Sequence, residues 1–181
     1  MGKGQLAGMT KLVYTEFGVG DNFINDIQYK SQANYYTIGI DKTQSSQYLK
    51  YKQFVDQYIV GDWCNDYNIP QADEWGCRSC FEHIHPDLID QSIHGIISKI
   101  KSHSQGYVHI DLTDHHSGFE HYKDPNYWNG YYINTIKHLE WEEIFSKYFT
   151  YDVDYSRKLQ YLEHNQEHPR CINFHNVRIK P

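Results

Sequence analysis

Lys11 to Tyr29 reads KLVYTEFGVGDNFINDIQY. The segment from Lys11 to Phe17 contains Val and Thr and has the composition of a β-strand. Gly18, Gly20, Asp21 and Asn22 are turn formers, because glycine accepts positive φ and Asp and Asn bond their own backbone. The spacing therefore predicts a strand, a turn, and a hairpin partner returning from Phe23 to Tyr29. Tyr35 to Ile40 is a third short strand candidate.

Further along, Ser45 or Ser46 has the character of a helix N-cap before Tyr48, Tyr51, Phe54, Val55, Tyr58 and Ile59, with Gly61 as the stop. From Asp62 to Phe81 the apolar period is lost, and this stretch is expected to be irregular. Pro86 and Asp87 open a second helical pattern that buries Ile89, Ile93, Ile96, Ile97 and Ile100. Tyr107 to Leu112 alternates, with Val108, Ile110 and Leu112 on one face and His109 and Asp111 on the other. Pro125 starts a long helical pattern through Tyr148, a short helix is expected from about Tyr155 to Glu163, and Cys171 to Ile179 is a last strand. No repeat, linker or βαβ rhythm stands out. The expected class is α+β: one globular domain over 1–181, a small mixed or antiparallel sheet packed with three to four helices.

Composition narrows the function classes. Aromatic residues make up 16% of the chain and compensate for a modest 39% hydrophobic fraction, so a core can form. The formal net charge of -6 and the scattered lysines disfavour nucleic acid as a direct ligand. There is no apolar run of about 20 residues to span a membrane. Met1 to Gln5 leads into no hydrophobic segment, so neither membrane association nor a signal peptide is expected, and the cytoplasm is the working compartment.

In that compartment thiols or metal are favoured over disulfides for Cys64, Cys77, Cys80 and Cys171. Cys77 and Cys80 form a CxxC pair followed closely by His83 and His85. Tetrahedral zinc takes four Cys or His ligands, so Cys64, Cys77, Cys80 and His83 or His85 are the candidate ligands of a structural zinc. The alternative is that these are reduced cysteines packed as small hydrophobes. Gly76 to Phe81 also resembles the papain-like cysteine peptidase signature, which implies Cys80 as nucleophile, although Arg78 stands where that signature has a small residue.

The chain is histidine-rich: nine of its 12 histidines lie between His83 and His138. Asp114-His115-His116, then Asn129, then His138, resembles the HNH (ββα-metal) nuclease pattern. That resemblance implies His116 as general base, Asn129 orienting it, and Asp114 or His115 with His138 holding a second divalent metal. The glycine pair usual in that loop is absent. His109, Asp111 and His175 resemble the facial triad of non-haem iron oxygenases. The competing account places most of these histidines on solvated faces, bonded to neighbours.

Two functions follow. The leading expectation is a small acidic protein-binding or inhibitory module, not an enzyme, that antagonises a basic protein such as a toxin or defence protein. Its contact residues would be Glu120, Asp124, Tyr127, Trp128 and Tyr131, where aromatics and carboxylates crowd together. The alternative is a metal-dependent hydrolase, an HNH-like phosphodiesterase using the belt from His109 to His138.

Overall fold

The computed structural model describes residues 11–20, 24–44, 48–112, 127–128, 131–134, 136–155, 158–160, 167–169 and 171–181. In chain order the elements are β1 (Val13–Phe17), α1 (Ile24–Gln32), β2 (Tyr36–Asp41), α2 (Tyr48–Tyr51), β3 (Gln57–Val60), β4 (Ala72–Arg78), α3 (Ile89–Ile97) and β5 (Ile100–Asp111). There follow β6 (Tyr127–Trp128), β7 (Tyr131–Tyr132), α4 (His138–Ser146), β8 (Phe149–Asp154), β9 (Lys158–Gln160), β10 (Glu167–Pro169) and β11 (Cys171–Ile179).

Seven strands form one sheet in the order β3-β2-β1-β4-β5-β11-β8. The first five strands are mutually parallel, and β11 runs antiparallel to both β5 and β8. Two small antiparallel hairpins, β6-β7 and β9-β10, stand apart from it. Among the described residues no helix is long and apolar enough to cross a membrane.

This architecture corrects the expected α+β class with its small sheet. The decisive segment is the one after Gly20. Ile27 is buried beneath a helix, and Asp26 in its first turn and Lys30 in its last complement its dipole. The chain therefore crosses over as α1 and returns as a parallel β2, which no hairpin can do. All five residues of β1 are buried, as a central strand covered on both faces requires.

The second correction falls on 62–81, where β4 occupies the centre of the sheet between β1 and β5. Its polar residues are satisfied from far along the chain. Asp73 accepts from the Val13 N–H at 2.9 Å and pairs with Lys101 at 2.7 Å, while Glu74 bonds Lys30 and Tyr35. The helix expected through Ile59 stops at Phe54, and Gln57–Val60 joins the sheet edge instead. Tyr127–Trp128 pairs antiparallel with Tyr131–Tyr132 where a helix was expected, and Lys158–Gln160 is a strand rather than part of one.

The two faces carry unequal cores. On one, α3 and α4 bury Ile89, Ile93, Ile96, Trp141 and Phe145 against Phe17, Trp75, Val108 and Phe174. On the other, α1 and α2 cover a smaller, tyrosine-rich cluster around Tyr14, Val19 and Ile27. Above the ends of β4 and β5, Glu82 is buried; its Oε1 accepts from the Asp111 N–H at 3.3 Å, and its backbone carbonyl accepts from the Asn134 N–H at 2.8 Å. Glu82 Oε2 has no hydrogen-bond partner among the described residues.

Two predictions test this packing. A β-carbon on Gly106 would overlap the Trp75 indole across the β4-β5 ladder. Gly106→Ala should cost about 1–3 kcal/mol, read as a lower urea midpoint with unchanged slope. Burial, aided by Asp111, pushes the Glu82 carboxyl from 4.5 up to about 8. A raised folded-state value means that its contribution to stability is complete below pH 4.5 and is lost as pH rises toward 8, at about 1.4 kcal/mol per pH unit. Glu82→Gln should therefore gain stability relative to wild type between pH 5 and pH 8; equal differences at both pH values would refute the assignment.

Candidate functional site

In open sheets of this kind ligands bind beyond the carboxyl ends of the strands, where the chain order reverses. Here the reversal lies between β1 and β4, since β2 and β3 lie on one side of β1 and β4 and β5 on the other. The chain leaves β1 through Gly18, Val19 and Gly20, with φ of +69° at Gly18 and +46° at Gly20. Glycine takes up these angles without the steric cost of a side chain. A β-carbon on Gly18 would sit 2.8 Å from Cys80 Cβ and closer still to its Sγ, so the turn lies directly against the end of β4.

The turn is tied to the neighbouring strand. The Gly18 N–H donates to the Ile40 carbonyl at 2.9 Å, and the Gly20 N–H donates to Asp41 Oδ2 at 2.7 Å. Asp41 closes β2, and its Oδ1 accepts from the Thr43 N–H at 3.1 Å. A carboxylate has about four acceptor positions, so this one holds the turn and keeps further capacity for a ligand's hydroxyls. Past the end of β3, Asp62 accepts from the Cys64 N–H at 2.9 Å and pairs with Lys42 at 3.4 Å. Trp63 beside it is buried and donates from Nε1 to the Ser92 carbonyl at 3.1 Å.

Beneath the turn a second charged group is buried. Glu16 accepts from the Tyr14 hydroxyl, and Gly76 on β4 leaves room for both side chains. Burial raises the Glu16 carboxyl from 4.5 to about 7, although Tyr14 and Arg78 pull it down. Arg78, at the end of β4, bonds Asp26 in the first turn of α1 and lies 5.0 Å from the Tyr107 ring centroid. From Tyr107 a polar network continues across β5, β11 and β8. Tyr107 OH donates to Asn173 Oδ1 at 2.8 Å, and His109 Nδ1 lies 2.7 Å from the same oxygen. Asn173 Nδ2 donates to Asp154 Oδ1 at 2.7 Å, and His175 Nε2 lies 2.7 Å from Asp154 Oδ2.

The structure separates most of the expected site residues. Cys77 and Cys80 stay together, each packed on the larger core. Cys64 donates to the Gln91 carbonyl at 3.7 Å, and His85 Nδ1 accepts from the Asp87 N–H at 3.3 Å. His83 is half-buried in the turn after Cys80. Among the described residues no three of His, Cys, Asp and Glu are grouped to hold a metal ion, so the structural zinc is corrected. The same holds for a metal on His109, Asp111 and His175, where the two histidines bond Asn173 and Asp154 instead.

Asp114, His115, His116, Glu120, Asp124 and Asn129 lie outside the described residues. Tyr127, Trp128 and Tyr131 belong to the β6-β7 hairpin, and His138 begins α4 with its ring 5.5 Å from that of Tyr155. The site residues missed from sequence are Gly18, Gly20 and Asp41. Their signal was present, as a Gly-x-Gly leaving one strand and an acid at the end of the next, but it takes that meaning only when both strands are parallel.

No family model matches the chain, and no curated protein matches it. Solved structures do. The 1,6-didemethyltoxoflavin-N1-methyltransferase of Burkholderia thailandensis, with bound 1,6-didemethyltoxoflavin and S-adenosylhomocysteine, is 11% identical with a TM-score of 0.66, over 94% of this chain and 72% of that one. An S-adenosylmethionine-dependent methyltransferase of Clostridium acetobutylicum is 12% identical with a TM-score of 0.63, over 93% and 84%. Phosphoethanolamine N-methyltransferase 2 of Haemonchus contortus, with S-adenosylhomocysteine, is 16% identical with a TM-score of 0.66, over 97% and 50%. These likenesses overturn the expected acidic inhibitory module and the HNH-like hydrolase, because β5 is an inner strand of a seven-stranded sheet rather than part of a ββα-metal unit. The chain has the Rossmann-like fold of S-adenosylmethionine-dependent methyltransferases.

Proposed function

We propose that this protein is an enzyme, a methyltransferase that binds S-adenosylmethionine in the crevice between the Gly18–Gly20 turn and Asp41. The observation that carries the reading is the bond from the Gly20 N–H to Asp41 Oδ2 at 2.7 Å, made where two parallel strands end at the reversal of chain order. In dinucleotide-binding sheets this pairing of a glycine turn with a distal acid receives a nucleoside, the acid taking the ribose hydroxyls.

The residues present fit that cofactor. Gly20 is exposed at the turn and carries no side chain, and the remaining acceptor positions of Asp41 suit a ribose diol. Asp62, past the end of the next strand, offers acceptors for an exocyclic amine. Trp63 and Val19 are buried around the turn and limit water there. When bound, S-adenosylmethionine supplies an electrophilic methyl group on a sulfonium centre to a nucleophile of the acceptor. Glu16, buried in the strand that leads into the turn with its carboxyl raised to about 7, would give that cofactor's site a titratable group. A cytoplasmic setting suits this reading, since Cys64, Cys77 and Cys80 are reduced thiols in the fold.

Calorimetric titration and thermal melting with S-adenosylhomocysteine test the proposal. Saturating ligand should raise the melting temperature, equivalent to about 2.7 kcal/mol at a hundredfold excess over Kd. Asp41→Asn, which retains an acceptor for the turn, should weaken binding about tenfold to a hundredfold, the worth of a hydrogen bond to a charged group. Unchanged melting and no heat of binding with either S-adenosylmethionine or S-adenosylhomocysteine would overturn the reading.

A further inference from the structure

The methyltransferase reading leaves the CxxC pair unused. Cys77 is fully buried near the end of β4, and Cys80 is half-buried just beyond it. Between them the chain bends through Ser79 at φ +46°, an angle costly for a residue with a side chain. The bend sets both side chains against the same core, three residues apart at the end of one strand. Cys80 also packs on Gly18, whose missing side chain makes the space its Sγ fills. Through Cys80, the pair is in direct contact with the proposed cofactor turn.

We propose that Cys77 and Cys80 form a reversible thiol–disulfide pair, a modification site for low-molecular-weight disulfides whose closure distorts the Gly18 turn. The pair stands on its own geometry, and only its effect on ligand affinity rests on the cofactor reading. Cys80, the more accessible thiol, loses its proton to solvent and attacks one sulfur of a disulfide such as oxidised glutathione. A bond forms from Cys80 Sγ to that sulfur, the reagent's own S–S bond breaks, and its other half leaves as a thiolate that takes up a proton.

Cys77, deprotonated in turn, attacks Cys80 Sγ and expels the second reagent thiol. Two protein thiols are oxidised by two electrons, and one reagent disulfide is reduced to two thiols. Burial, with Cys80, Glu16 and Glu82 nearby, pushes the Cys77 thiol well above its ordinary value, which makes closure the slow step. A disulfide holds its sulfurs about 2.05 Å apart, shorter than any thiol contact. Closing it draws Cys80 Sγ toward Cys77 and away from the space over Gly18.

The full-length protein, incubated across a range of oxidised to reduced glutathione, tests this by intact mass and tryptic mapping. Trypsin cuts after Arg78, so the expected product is a linked pair of peptides, one ending at Arg78 and one starting at Ser79. Cys77→Ser should stop at a glutathione adduct on Cys80. S-adenosylhomocysteine should bind the oxidised protein about tenfold more weakly than the reduced protein, with dithiothreitol restoring affinity. Failure of Cys77 and Cys80 to oxidise, or a wild-type protein that stops at the adduct, would overturn the pair. A disulfide with unchanged affinity would overturn its coupling to the turn. Reduced protein that does not bind S-adenosylhomocysteine would instead refute the cofactor reading, leaving the pair to be judged by mass alone.

Discussion

Everything in this fold depends on β1 pairing in parallel with a strand on each side. Its five residues are buried on both faces, with Phe17 and Val13 in the larger core and Tyr14 in the smaller. Parallel neighbours require a crossover at each connection, so the chain after Gly20 has to travel back over the sheet before β2 can begin. That single requirement converts a turn that resembles a hairpin into the start of a crossover at the carboxyl end of β1. It also places the ends of β1, β2 and β4 side by side, where the cofactor is proposed to bind.

The elements legible in sequence were those whose burial follows a local period. The last strand and the alternation from Tyr107 to Leu112 both lie in the sheet, and the isoleucine stripe starting at Ile89 forms α3. β4 escaped because its partners are remote. A strand reading Ala-Asp-Glu-Trp-Gly-Cys-Arg has no apolar alternation, yet Asp73, Glu74 and Arg78 are each paired with residues on other elements. Gly76 belongs to the same logic, since it weakens a strand in isolation but here accommodates Glu16 and Tyr14 from β1. No window of local sequence contains those partners.

The site was hidden for a related reason. Gly18-Val19-Gly20 is only part of a phosphate-binding fingerprint, because Phe23 stands where the third glycine would be. Asp41 looks like an ordinary strand-end acid until the Gly20 N–H is found on its carboxylate. Histidine and cysteine counts, by contrast, were conspicuous and pointed to metal. Composition registers which side chains are present, whereas ligation needs several of them to converge. His109 and His175 share one network yet each faces a different oxygen-bearing partner, so these two rings are engaged in hydrogen bonding rather than ligation.

The two faces of the sheet divide the labour unequally, and the division follows from where charge can be tolerated. The face under α3 and α4 is packed with aromatic rings, including Phe145 stacked on Phe174 at 4.5 Å. Burying a charge there without a partner would cost several kcal/mol. The opposite face carries Glu16, Asp26, Arg78, Tyr107 and Asn173 in sequence from the glycine turn toward β8, each bonded or stacked to a neighbour. A rigid apolar layer on one side thus leaves the other free to hold charges beside the strand ends. Cys77 and Cys80 pack on the apolar core at the same strand ends, which is why Cys80 reaches the turn from the apolar side.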